Sequence, residues 1–159
     1  MFYKDGYAIP RRQICIERPI DMTSEMTISF PGNLKVDAGL GNRVIRTDQS
    51  ELSGGDGSAP EPFTLFLASI GTCAGIYVLR FCQIRNIPTN DIRLVQRVIS
   101  REGGGIGKVE IDIEVPPDFP SKYHKSLVRA ANQCAVKKVI EKPPEFETRT
   151  VQRPTIGRE

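Results

Sequence analysis

Apolar and polar positions alternate along the chain from Glu25 onward, and turn residues interrupt the alternation twice. Met26, Ile28 and Phe30 share one face, Pro31-Gly32-Asn33 makes a turn, and Leu34, Val36 and Ala38 resume the pattern before Gly39-Leu40-Gly41-Asn42 leads into residues 43–48. Because successive strand residues point to opposite faces, this predicts an antiparallel meander of three strands. A second alternation comes later. Ile92, Leu94, Val95, Val98 and Ile99 precede Gly103-Gly104-Gly105, after which Val109, Ile111, Ile113 and Val115 alternate strictly with Glu110, Asp112 and Glu114. That predicts a hairpin whose last strand has one wet face.

Between the two alternations the period changes. Residues 53–60 are glycine and small polar residues, which make a loop; with no Lys-Ser/Thr after its glycines it is not a phosphate-cradling loop. Pro62 suits a first helical turn, with Glu61 favourably placed against its positive end, and the helix should run to about Arg85, where Asn86-Ile87-Pro88 stops it. Its sequence, PFTLFLASIGTCAGIYVLRFC, is apolar on every side, so it is buried in a core, in an interface or in lipid. Lipid is disfavoured: residues 63–79 fall short of the roughly 20 apolar residues a span needs, and they include Thr64, Ser69, Gly71, Thr72 and Gly75 before Arg80. Residues 116–121 open a second helix, on which Leu127, Ala130, Ala131, Cys134, Ala135 and Val139 recur at helical spacing until Pro143-Pro144. Residues 146–151 read as a closing strand. At the other end, the alternation of residues 12–17 suits an edge strand in a peripheral arm over residues 1–23, leaving residues 24–159 as a single domain. The class is α+β, and a helix this apolar calls for a second subunit to cover it, so an intertwined homodimer is expected.

Composition narrows the function. A 159-residue chain with 39% hydrophobic and 26% charged residues is one soluble domain with a real core. Its 22 basic and 19 acidic residues are dispersed, which argues against nucleic acid as a partner. The N-terminal sequence lacks the charged start and apolar stretch of a secretory signal, so a cytoplasmic location is expected. Four cysteines without CxxC spacing and a single histidine supply too few soft ligands for a metal centre, and nothing implies another cofactor. Of the cysteines, Cys15 on the arm is incidental, and Cys82, two and a half turns after Cys73, belongs to the core; His124 should lie at the surface. Cys73 and Cys134 remain, one on each apolar helix, as either a redox pair or two inert core thiols. Cys73 lies about three turns into its helix, too deep for the helix dipole to help, so its thiolate would need a lysine or arginine from elsewhere.

Leu65-Phe66-Leu67-Ala68 and Gly71-Thr72-Cys73 on the first helix, with Ala130-Ala131-Asn132-Gln133-Cys134-Ala135-Val136 on the second, resemble the osmotically inducible protein C / organic hydroperoxide resistance (OsmC/Ohr) family over residues 24–151. The branch most similar is that of OsmC-like proteins of unassigned function. The resemblance implies an antiparallel sheet wrapped around two long central helices, two intertwined chains, and active sites at their interface. It implies that Cys73 attacks an organic hydroperoxide and becomes a sulfenic acid, that Cys134 resolves it as a disulfide, and that a dithiol such as a lipoylated protein restores the pair. The family's hydroperoxidases hold the thiolate with an Arg from an early turn and a Glu ten residues before the reactive cysteine. Here Phe63 occupies that position, Glu61 is the nearest acid, and Lys35, Arg43 and Arg46 are the candidate cations, each also readable as a solvated strand residue. Phe63, Phe66 and Tyr77 would line an apolar pocket. The substitution of Phe63 keeps a second expectation open: a non-catalytic dimer that binds a small hydrophobic ligand.

Overall fold

The computed structural model describes residues 25–152, so the expected arm of residues 1–23 lies outside the described residues. The chain divides into two compact units, Met1–Pro62 and Phe63–Glu159. Together they contain three α-helices and two small antiparallel sheets among the described residues, an α+β composition.

The first unit is the expected meander. Strands β1 (Thr27–Gly32), β2 (Lys35–Leu40) and β3 (Arg43–Ile45) pair in sequence order. Ile28 faces Ala38 and Ser29 faces Asp37, and the register shifts before Gly32 meets Lys35. The turn uses Asn33 at φ 47°, a left-handed conformation that asparagine tolerates better than most side chains. β3 is shorter than its sequence suggested: it stops at Ile45, because Thr47 and Asp48 turn inward as the only buried polar residues described. The Val36 amide donates to the Thr47 carbonyl at 3.2 Å, and the Thr47 hydroxyl donates back to the Val36 carbonyl. The sheet itself stays bare, with every β1 side chain exposed and Phe30 at 79%.

The second unit is built on α1 (Pro62–Gln83), whose start and end match expectation within two residues. Asn86, at φ 53°, sits just past its C-terminus. There the Asn86 amide donates to the Gln83 carbonyl at 3.1 Å and the Ile87 amide to the Cys82 carbonyl at 3.0 Å, a left-handed cap that satisfies the last carbonyls before Pro88. α1 is long and apolar enough to cross a membrane by length and composition. One side is nevertheless a core face: Ile70, Ala74, Val78, Phe81 and Cys82 are buried. Ala74, Val78, Phe81 and Cys82 pack with Phe119, Leu127, Ala131 and Cys134.

The hairpin comes next, β4 (Arg93–Ser100) with β5 (Ile106–Glu114). Leu94 opposite Ile113 and Gln96 opposite Ile111 share the face toward the core, whereas Arg93 opposite Glu114 and Arg97 opposite Glu110 share the wet one. On that wet face Arg93 pairs with Glu114 and Arg97 with Asp112, the exposed ion pairs that contribute little to stability.

The second helix departs from expectation. It is two short helices, α2 (His124–Ala131) and α3 (Ala135–Glu141), not one long one. The Gln133 amide donates to the Ala130 carbonyl at 2.9 Å, tightening the last turn of α2, and Cys134 then takes an extended ψ of 120°. Asparagine and glutamine at residues 132 and 133 are exposed and offer no apolar contact to hold a straight helix through this point. The closing strand expected at residues 146–151 also differs: these residues pair with no strand of the described chain, and Phe146 is 89% exposed. Strand preference alone does not make a strand without an edge to join.

Candidate thiol site

The break between α2 and α3 positions Cys134. A continuous helix would have placed it in mid-turn; the extended backbone instead makes it the residue that precedes α3 and turns its side chain into the core, where it is fully buried. The Cys134 thiol donates to the Ile70 carbonyl of α1 at 3.8 Å, a long contact of the kind sulfur makes. Cys73 is one turn farther along α1 from Ile70, half-buried, and packed against the same core cluster. The two thiols are hydrogen-bonded neighbours. Two cysteines 61 residues apart in sequence are thus brought together within one unit.

Their surroundings differ. Burial pushes the Cys134 thiol up from its ordinary value, and the hydrogen bond shared with Cys73 pushes it the same way. The backbone amides of Lys137 and Val136, at the start of α3, act in the opposite sense but do not overcome burial. Cys82, the third described cysteine, is a fully buried thiol raised mainly by burial, as expected for a core residue.

Along α1, Phe66, Cys73 and Tyr77 fall within a few tens of degrees of one stripe, since seven and eleven residues are close to whole numbers of turns. Phe63 and Phe66 stack at 5.7 Å between ring centres, and both are exposed; Tyr77 is half-buried. Phe66 and Tyr77 thus share the Cys73 side of α1, with Phe63 beside Phe66. Two grooves of about 470 and 230 Å³ also open on this unit. The larger lies between β5 and the α2–α3 break, the smaller beside Gly75 and Ile92, and neither is lined by Cys73 or Cys134.

The remaining candidates lie in the first unit. Lys35 pairs with Asp56, whose other carboxylate oxygen accepts from Asn33 Nδ2 at 2.6 Å. That contact raises the lysine's pKa and lowers the aspartate's. Glu61 is a loop staple, accepting the Ser50 amide at 3.1 Å. Arg43 opens β3 and Arg46 follows it, both exposed. His124 is exposed as well, its ring edge-on to Phe119 at 5.4 Å.

Three features were not anticipated from sequence. The Ile70 carbonyl and the amides of Val136 and Lys137 are backbone groups and leave no trace in residue type. Gln96 projects from β4 to α1, where its Nε2 donates to the Leu67 carbonyl at 3.0 Å. A Cβ on Gly71 would come within 2.8 Å of Gln96 Oε1, so glycine leaves room for the Gln96 side chain against α1. The third is Asp48. Its carboxylate is fully buried and accepts the Gln49 amide at 2.8 Å, the Ser58 amide at 3.0 Å and the Ser58 hydroxyl at 2.7 Å.

Residues 55–149 match the sequence profile of a family described as OsmC-like protein. No curated protein matches the chain in sequence. Among solved structures, the chain is similar to a Psychrobacter arcticus 273-4 protein whose name assigns it, provisionally, to the osmotic stress and detoxification response: TM-score 0.60 at 21% identity, over 71% of this chain and 85% of that one. An OsmC-like protein from Mycoplasma pneumoniae gives a TM-score of 0.57 at 11% identity, over 78% of this chain and 91% of that one. An OsmC-like protein of unknown function from Vibrio cholerae gives 0.53 at 8% identity, over 74% and 93%. At these identities the likeness is one of fold.

Proposed function

We propose, on the premise that this chain belongs to the OsmC-like protein family, that it is a soluble, cytoplasmic thiol peroxidase acting on organic hydroperoxides through Cys73 and Cys134. The observation that carries this reading is the asymmetric pair of thiols: two neighbouring sulfurs from separate helices, one half-buried on an apolar surface and the other sealed in the core.

The asymmetry fits a division of labour. A hydroperoxide with an apolar body can lie along the stripe of Phe66 and Tyr77 and reach Cys73, whereas Cys134 is closed off by its own unit. The Cys73 thiolate attacks the terminal peroxide oxygen, the O–O bond breaks, and the alkoxide takes up a proton and leaves as the alcohol. Cys73 is then a sulfenic acid. Cys134 sulfur attacks it, the S–O bond breaks, and the departing hydroxide leaves as water with the Cys134 proton. A dithiol, which a lipoylated protein could supply, is oxidised in returning the disulfide to two thiols.

A second copy of the chain completes the reading. Met26, Ile28 and Phe30 on the sheet and Phe63 and Ile76 on α1 are all exposed in the isolated chain, apolar side chains that suit a covering partner. A homodimer would cover them. Lys35 already has Asp56 for a partner, which leaves Arg43 and Arg46 as the freer candidates to hold the Cys73 thiolate.

Cumene hydroperoxide and dihydrolipoamide provide the test. Cys73→Ser should abolish peroxide consumption, and Cys134→Ser should stop it after about one turnover; unchanged consumption by Cys73→Ser refutes the enzyme. The second reading, a non-catalytic dimer that binds a small hydrophobic ligand, draws support from Phe63, which puts an exposed stacked phenyl pair where the family's hydroperoxidases keep a carboxylate. Under that reading, an apolar fluorescent probe binds and hydroperoxide leaves both thiols unchanged.

A further inference from the structure

Charge that is dispersed over the chain as a whole is not dispersed over α2 and α3. Residues 121–140 hold five lysines and arginines and no aspartate or glutamate, whereas the net charge of the whole chain is +3, so everything outside this stretch sums to a negative charge. The five cations form one surface. Lys122, in the single turn Ser121–Tyr123 that leads into α2, and Lys125 and Arg129 follow the three-and-four spacing of one helix side, opposite the buried Leu127 and Ala131. From α3, Lys137 Nζ reaches back to Asn132 Oδ1 at 3.1 Å and Lys138 Nζ to Gln133 Oε1 at 3.3 Å, so the stripe continues across the break.

Two observations set this stripe apart from an ordinary solvated helix side. The first is neutralisation. All four ion pairs among the described residues lie elsewhere, whereas these cations rest against neutral groups: Arg129 donates to the Ser126 hydroxyl at 2.8 Å, Lys137 and Lys138 to side-chain amides, and Lys122 stands 5.0 Å from the centre of the Tyr123 ring. The second is that the stripe works against its own helix. The first turn of α2, where the helix dipole favours an anion, has no acid and carries Lys125, and Lys125 repels Arg129 four residues on. Sequences depart from local stability mainly where side chains serve a function.

The border of the stripe selects the kind of partner. The groove of about 470 Å³ sets Asp112 and Glu114 of β5 beside Val128, Asn132 and Lys137. A long polyanion or a sheet of anionic headgroups laid on the stripe would meet those carboxylates, and Tyr123, half-buried and edge-on to Phe81, offers no free ring for a base to stack on. A protein face escapes both objections, since its acids can be confined to its centre. We infer that the α2–α3 stripe docks a protein partner through that partner's acidic face, with Ile111, Ile113 and Val128 in the groove receiving an apolar side chain at its edge. This surface stands apart from the thiol chemistry and does not depend on it.

The probe is a fluorescein-labelled helical peptide whose glutamates repeat the three-and-four spacing of the stripe, titrated with the full chain and read by anisotropy. It should bind, and more weakly as salt is added, because exposed charges are screened. Lys125→Glu/Arg129→Glu should weaken binding at least about tenfold, and Lys125→Ala/Arg129→Ala less but in the same direction, with the circular dichroism of both unchanged. Arg101→Glu/Arg149→Glu, which makes the same change in net charge at exposed residues outside the stripe, should leave the affinity nearly as it was. Equal weakening by the two glutamate pairs, or no binding of the peptide, overturns the inference. Tighter binding of a DNA oligonucleotide or of phosphatidylglycerol vesicles than of the peptide overturns it in favour of those partners. A change of subunit number in Lys125→Glu/Arg129→Glu by light scattering overturns it in favour of a second copy of this chain.

Discussion

The two units of this protein hold themselves together by opposite means. In the first, order comes from polar contacts: Asp48 gathers the loop of residues 49–58, Glu61 staples Ser50, Asp56 joins Lys35 and Asn33, and the sheet beside them buries almost no apolar side chain. In the second, order comes from apolar burial around Ala74, Val78, Leu127 and Cys134, and the polar contacts lie mostly on the wet face of the hairpin. The chemistry follows the same division. Cys73 and Cys134 both lie in the second unit, the first half-buried and the second fully buried. The first unit's strands β1 and β3 are exposed, and its order rests on the hydrogen-bonded loop.

The comparison is broken most severely by emptying the second unit's core. Leu127→Ala removes a side chain that is 2% exposed and should destabilise the protein by about 3 kcal/mol, seen as a lower midpoint in urea. The same change should also loosen the Cys134 surroundings and speed its alkylation.

A loop change gives the matching experiment in the first unit. At Gly55 an added Cβ would stand 2.1 Å from the Gln49 carbonyl oxygen, a backbone atom that cannot swing aside. Gly55→Ala should therefore cost about 2 kcal/mol, with the loss concentrated in amide exchange of residues 47–61 and the second unit's core amides unaffected. Loss spread evenly over both units would show that they do not behave separately.

The smallest of the three effects is a pH dependence confined to the first unit. The Asp48 carboxyl is held below its ordinary value of 3.8, first by the Ser58 hydroxyl and then by the Ser58 amide, with desolvation opposing. A carboxylate whose folded pKa is depressed adds stability that is present above its unfolded pKa and lost as pH falls through the folded one. The loop should thus loosen as pH drops below about 4. In Asp48→Asn that acid dependence should shrink, with the loop already weakened at neutral pH.

The strands and α1 were legible because their signals are local. Alternation with Gly and Asn turns marked the meander and the hairpin, and Pro62 and Asn86-Ile87-Pro88 bracketed the long helix. The α2–α3 break was not, since Leu127, Ala130, Ala131, Cys134 and Ala135 stay in helical phase straight through it; only packing against α1 shows that Cys134 leaves the helix to reach Ile70. That Cys73 and Cys134 come together could be suspected from their two apolar helices, but their unequal burial could not. Lys35 was a reasonable cation by position, yet its partner Asp56 lies 21 residues away in a loop that gives no pairing signal. The residues of the closing segment, 146–151, have strand character but pair with no strand among the described residues, which sequence preference cannot distinguish from a paired strand.

The central claim is that Cys73 and Cys134 work as one redox pair. It is tested most directly by adding one equivalent of cumene hydroperoxide to the reduced protein and mapping its cysteines by mass spectrometry. The account predicts a single disulfide joining the Cys73 and Cys134 peptides, with Cys82 still a free thiol. Two free thiols at Cys73 and Cys134 after complete exposure to the peroxide, or a Cys73 oxidised to sulfinic acid with Cys134 untouched, would contradict it.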